Sequence, residues 1–195
     1  MTDPQKQKYY GQEDRERHAL AIGKIAMAWN EYHEILGEIF ANFFGKRGGS
    51  LAFAAWHALD NDRAQRSMLA AVAGIKLKKS DRAYAEIIWM VEKTNQIISD
   101  QRNSGIHTPL MSFTGTDGIH RILPQAMFGN RRAVRLYGAD LLVEFAHYEQ
   151  QIRQMISFAV GVEFAIVPRT RRRGRVTWPQ RPQLISRAPQ TRRKT

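Results

Sequence analysis

The chain has 195 residues, 43% of them hydrophobic and 10% aromatic, and a formal net charge of +12. That length and apolar content suffice for one domain with a sizeable core and exclude a chain disordered throughout. No cysteine is present, which excludes disulfides, cysteine nucleophiles and thiolate zinc sites and fits a reducing compartment.

Residues 1–14 read as a flexible N-terminus, and their polar start at Met1 to Lys8 lacks the apolar core of a signal peptide. No apolar run is long enough to cross a bilayer, so the reading is a soluble, cytoplasmic protein with no membrane partner. From about His18 to Phe44 the residues Ile22, Ile25, Trp29, Tyr32, Leu36, Ile39 and Phe43 recur at steps of three and four, predicting a long amphipathic helix. Gly45 and Gly48-Gly49 offer its stop. Leu51 to Leu59 reads as a shorter helix, and Asp60-Asn61-Asp62 supplies N-cap chemistry for another through Met68, Leu69 and Val72 to Gly74. Ser80-Asp81 opens the next, with Tyr84, Ile88, Val91, Asn95 and Ile98 on one stripe. Four residues further, that stripe reaches Arg102, which is expected to face inward at the helix end.

Residues 109–130 show no helical period and carry turn signals at Gly115, Asp117-Gly118 and Pro124, so Leu110 to Thr114 and Ile119 to Leu123 are read as a small hairpin or an ordered loop. A second long stripe, from Leu141 through Phe145, Tyr148, Ile152, Met155 and Ala159 to Val162, closes the body. The predicted fold is all-α: an antiparallel four- to five-helix bundle over residues 15–167, with the inserted loop or hairpin. Residues 168–195 hold ten basic and no acidic residues, whereas the preceding 167 hold twenty and eighteen. The positive charge therefore belongs to a tail, interrupted by Pro168, Pro179, Pro182 and Pro189, that reads as a disordered basic arm.

Chemistry concentrates in Arg102-Asn103-Ser104-Gly105-Ile106-His107, which joins a permanent cation to a group that exchanges protons near neutrality. In one uninterrupted helix a five-residue step turns His107 about 140° from Arg102, so a shared site calls for a break or a dimer axis. Ser104-Gly105 and Pro109 favour the break. The structural alternative has Arg102 capping a helix C-terminus and His107 bonding a loop carbonyl. Asn95 reads first as an interhelical hydrogen-bonding residue. Glu144 and His147 have the Glu-x-x-His spacing of di-iron bundles, but no second such pair exists, and they flank the apolar stripe like a solvated or boundary pair. His33, His57 and His120 have no partner spacing, and Trp56 and Trp89 read as core or interface anchors before base-stacking groups. No metal or cofactor site is assigned. In the tail, Arg169, Arg171, Arg172, Arg173 and Arg175 read as electrostatic capture of RNA or DNA, with Trp178 stacking on a base. Trp178-Pro179-Gln180-Arg181-Pro182 also has the spacing of a polyproline ligand.

On Arg102, Asn103 and His107, placed after a long helix, the chain resembles the HEPN superfamily of helical nucleotide-binding domains, whose signature is Arg, a polar residue, a few residues and His. That resemblance implies a homodimer with facing motifs, acting as a metal-independent endoribonuclease, such as a toxin or defence effector restrained by a neutralising partner. It implies that His107 moves a proton as an RNA 2′-hydroxyl attacks the adjacent phosphate, that Arg102 stabilises charge on the phosphoryl oxygens, and that Asn103 orients the motif. Ribonuclease members often carry a tyrosine two residues after the histidine, where this chain has Pro109. The alternative functions are therefore a non-catalytic module binding nucleotide, RNA or protein, and a structural helical dimer.

Overall fold

The computed structural model describes residues 11–166 and 177–189. Helix α1 (Gln12–Asn42) starts earlier than its apolar stripe, because Glu13 and Asp14 complement the positive end of the helix dipole. Gly11 before it holds a φ of +82°, and the His120 ring fills the space where a Cβ would stand. The inward face, Ile25, Trp29, Tyr32, Leu36 and Ile39, packs along the last helix, α7 (Leu141–Ile166), through Phe145, Ile152, Met155 and Ala159. These two helices form the most extensive contact in the fold. Each fully buried aliphatic side chain between them contributes about 1.5–3 kcal/mol.

The expected stop at Gly48-Gly49 is not one. Helix α1 ends at Asn42, Gly45 turns the chain with φ +65°, and both glycines lie inside α2 (Gly45–His57). Small residues here let α2 fold back tightly, since a Cβ on Gly48 would press on Phe44 and one on Gly49 on the Ala41 carbonyl. Helix α3 (Asp62–Lys76) is capped by Asn61, whose Oδ1 accepts from the Arg63 and Ala64 amides at 2.9 and 3.1 Å. Helix α4 (Arg82–Lys93) runs into a π turn over Thr94–Ile98 and then α5 (Ser99–His107). Strands β1 (Leu110–Thr114) and β2 (His120–Pro124) pair antiparallel, Leu110 opposite Pro124 and Thr114 opposite His120. A short α6 (Arg131–Leu136), capped by Asn130, precedes α7. The fold is thus a mostly helical bundle with one two-stranded sheet. No described helix is long and apolar enough to cross a membrane.

Residues 177–189, expected inside a disordered arm, instead lie as an irregular strap on the bundle. Trp178 and Leu184 pack on the core, and Pro179 fits over Gly161, where a Cβ would collide with its ring. Arg181 Nε donates to Glu86 Oε2 at 2.6 Å and its guanidinium lies 5.3 Å from the Trp89 ring centroid. Arg187 Nε donates to Glu144 Oε1 at 3.0 Å, and the Ala188 amide to Glu144 Oε2 at 3.3 Å. The Ile185 carbonyl accepts from Gln101 Nε2 at 2.8 Å and from His147 Nε2 at 3.1 Å, while its amide donates to Gln151 Oε1. Glu144 and His147 are therefore buried beneath the strap, not solvated, because the strap brings the cation and the carbonyl that satisfy them.

Close helix contact makes two glycines sensitive. A Cβ on Gly37 would stand 2.8 Å from the buried Trp56 ring, and one on Gly105 would stand 2.6 Å from Ile25. Gly37→Ala is expected to cost about 1–3 kcal/mol in urea unfolding. Gly74→Ala, facing open space within α3, should instead raise stability by about 0.5–1 kcal/mol. Equal midpoints for the two variants would refute the close packing.

Candidate functional site

The π turn positions the site. Thr94 donates to the Met90 carbonyl at 2.7 Å and pairs with the Tyr32 hydroxyl at 2.8 Å, both inside the core. Burial pushes the Tyr32 pKa upward, so its phenol stays neutral. Through the turn the buried face continues at steps of three and four, from Ile87, Met90, Thr94 and Ile98 to Gln101, Ser104 and Gly105. Arg102 stands at the edge of that face, half-buried. Asn95, expected on the inward stripe, is exposed at the rim, yet it makes the interhelical bond foreseen for it.

Arg102 opens onto a cleft of about 540 Å³ between the start of α3 and the π turn with α5, lined by Arg63, Arg66, Asp60, Asp62 and Asn103 among others. Trp29 forms its floor. The Trp29 indole N–H donates to Asp62 Oδ2 at 2.9 Å, and the guanidinium carbons of Arg66 and Arg102 lie 5.5 and 5.7 Å from its ring centroid. Arg66 is only 3% exposed. Its Nε donates to Asn95 Oδ1 at 2.9 Å, Nη1 to His33 Nε2 at 2.9 Å and Nη2 to Ser99 Oγ at 3.2 Å. Burial draws the Arg66 pKa downward, Asp62 opposes this, and Arg63 and Arg102 add to it.

Arginine only donates, so His33 Nε2 must carry a lone pair and its Nδ1–H must donate to Gln65 Oε1, 3.1 Å away. Burial draws the His33 pKa from 6.5 to about 4, assisted by Arg66 and Arg102 and opposed by Asp62 and Gln65. The folded state thus refuses a proton that the unfolded chain accepts. The resulting stability is complete above about pH 6.5 and lost as pH falls toward 4. A ring-proton NMR titration checks this, and a His33 midpoint near 6.5 in the folded protein would refute it.

The sequence motif converges within one chain. Arg102 Nη1 donates to Asn103 Oδ1 at 2.9 Å and to His107 Nε2 at 3.2 Å. The anticipated break at Ser104-Gly105 does not occur, since α5 continues through His107. Gly105 serves close packing on Ile25 instead. The pair meets regardless, because the arginine side chain is long enough to curl around the helix and the histidine leans toward the helix N-terminus. This hydrogen bond requires neutral His107 with its proton on Nδ1. Arg102 Nε is buried without a hydrogen-bond partner.

Arg169, Arg171, Arg172, Arg173 and Arg175 lie outside the described residues. Trp178, expected to stack on a base, is half-buried in the strap, with the Arg82 guanidinium 5.4 Å from its ring centroid. Sequence reasoning missed Arg66, His33 and Ser99. A signal existed in α3, where Gln65 and Arg66 stand four and three residues before Leu69 and eight and seven before Ala73, at positions an amphipathic helix buries. Among the described residues no group of three or more His, Asp and Glu could hold a metal ion. No family model, curated protein or solved structure matches the chain.

Proposed function

We propose that this chain is a HEPN-like, metal-independent endoribonuclease whose reacting groups are Arg102 and His107, oriented by Asn103. The observation that supports this most directly is the contact of Arg102 with both Asn103 and His107 beside a cleft rich in arginine. An RNA phosphate competes for the Arg102 donor and releases the His107 Nε2 lone pair. That nitrogen takes the proton of the 2′-hydroxyl as its oxygen bonds to phosphorus, and Arg102 faces the charge gathering on the non-bridging oxygens. The bond to the 5′ oxygen breaks, leaving a 2′,3′-cyclic phosphate and a 5′-hydroxyl.

The departing oxygen needs a proton, and the homodimer implied by the resemblance supplies a second His107 for it. Residues 169–175 add electrostatic capture of the RNA, and a neutralising protein over the cleft would restrain the enzyme. RNA cleavage in EDTA by the wild type, Arg102→Ala and His107→Ala tests the assignment, and equal cleavage by all three rejects it. One observation favours a non-catalytic RNA-binding module instead: Arg102 occupies the His107 lone pair, with Pro109 following the motif. Salt-dependent binding with the RNA recovered intact would select that reading.

A further inference from the structure

Arg66 lies outside the Arg102 to His107 motif, and its surroundings pose a separate question. Three of its five N–H groups are used, all on neutral partners: Asn95, neutral His33 and Ser99. Among the described residues it forms no salt bridge, and neither does Arg102. Asp62 is near enough to act on the Arg66 charge but is bonded to the Trp29 indole. A nearly buried guanidinium without a paired anion is costly, and a second one on the same tryptophan adds repulsion. Such an arrangement is relieved by an anion entering from solvent.

The donors around it suit a phosphate. Arg66 retains one N–H on each terminal nitrogen, and Arg102 retains Nη2, while its Nε is buried. Because arginines approach Asn95 and Asn103 at Oδ1, both amide nitrogens remain available as further donors on the cleft lining. Donors arriving from two arginines and two amides match a tetrahedral oxyanion with several acceptor oxygens better than a planar carboxylate.

We propose that Arg66 and Arg102 form a phosphate seat in this cleft, with Arg66 as its direct, motif-independent ligand. The seat needs neither His107 nor RNA cleavage. Thermal unfolding of the full chain, in chloride and in phosphate or pyrophosphate at equal ionic strength, reads it. The wild type and His107→Ala are expected to rise by about 3 °C or more near saturation. Arg66→Met, which removes an unpaired buried charge, should melt within a few degrees of the wild type in chloride and show no phosphate-specific rise. Arg66→Lys keeps the charge without the fork and should bind at least about tenfold more weakly; it carries the comparison if Arg66→Met does not fold.

An equal phosphate-specific rise in the folded Arg66 variants and the wild type overturns the seat, as does a wild type that responds alike to chloride and phosphate. Adding a 5′-mononucleotide, and an RNA oligomer lacking terminal phosphates, separates the sources. A rise with the mononucleotide alone assigns a terminal phosphate, and a rise with both assigns the bridging diester as well. Intact RNA with a phosphate-specific rise removes the ribonuclease reading and leaves the seat; cleavage without a rise does the reverse.

Discussion

His107→Ala is expected to lower RNA cleavage in EDTA by about 10²–10⁴-fold, the range that a positioned proton-transfer group contributes. The fold should not change, because the His107 side chain is exposed and its one hydrogen bond among the described residues is that from Arg102. Arg102→Ala is expected to cost about 10²–10³-fold, as for loss of one charge-stabilising donor group. Its guanidinium also lies over Trp29, so circular dichroism and melting must accompany the rate. Arg102→Lys keeps the charge but cannot donate to Asn103, His107 and a phosphate in one plane, and should recover only part of the activity. Cleavage by His107→Ala at the wild-type rate would show that any observed nuclease acts elsewhere or is a contaminant.

Removing residues 177–195 is expected to destabilise the bundle by about 3 kcal/mol or more, which a loss of a merely disordered tail would not do. The reason is two carboxylates, Glu86 and Glu144, at 5% and 4% exposure. Glu144 would lose both Arg187 and the Ala188 amide. Glu86 would keep only Arg82, at 3.4 Å, and lose the shorter Arg181 contact. The Trp178 and Leu184 contacts with the core would go as well. Urea unfolding of the truncated chain measures the loss, and an unchanged midpoint rejects a structural strap. Glu144→Gln should recover part of the loss in the truncated chain, because a neutral amide costs less to leave unpaired than a carboxylate.

The main helices were readable because a 3.6-residue period survives any tertiary arrangement: Ile25, Trp29, Tyr32, Leu36 and Ile39 announce α1 without knowing what covers them. Asp117-Gly118 between two short apolar runs left a hairpin or an ordered loop open, and the structure has the hairpin, with β2 one residue later than Ile119 to Leu123. The strap was not readable for the opposite reason. Arg181 and Arg187 gain order from Glu86 and Glu144, carboxylates far away in the chain, and no local period records such a partner. The motif is legible as a spacing, but its geometry is not, because side chains are not rigid spokes. A helical wheel gives directions of Cβ atoms, whereas the Arg102 guanidinium stands several bonds beyond its own. Arg66 went unnoticed because a single arginine carries no pattern until Trp29, His33 and Asn95 surround it.

The wide turn at Thr94–Ile98 also bears on how the site is wound. In a straight helix each added residue rotates everything after it by about 100°. Here the buried face keeps steps of three and four across the turn, from Ile87, Val91, Thr94 and Ile98 to Gln101 and Gly105, and Arg102 stands beside it. Deleting one residue within Thr94–Ile98 would therefore swing Arg102 and His107 together relative to Trp29, because both follow the turn in one helix.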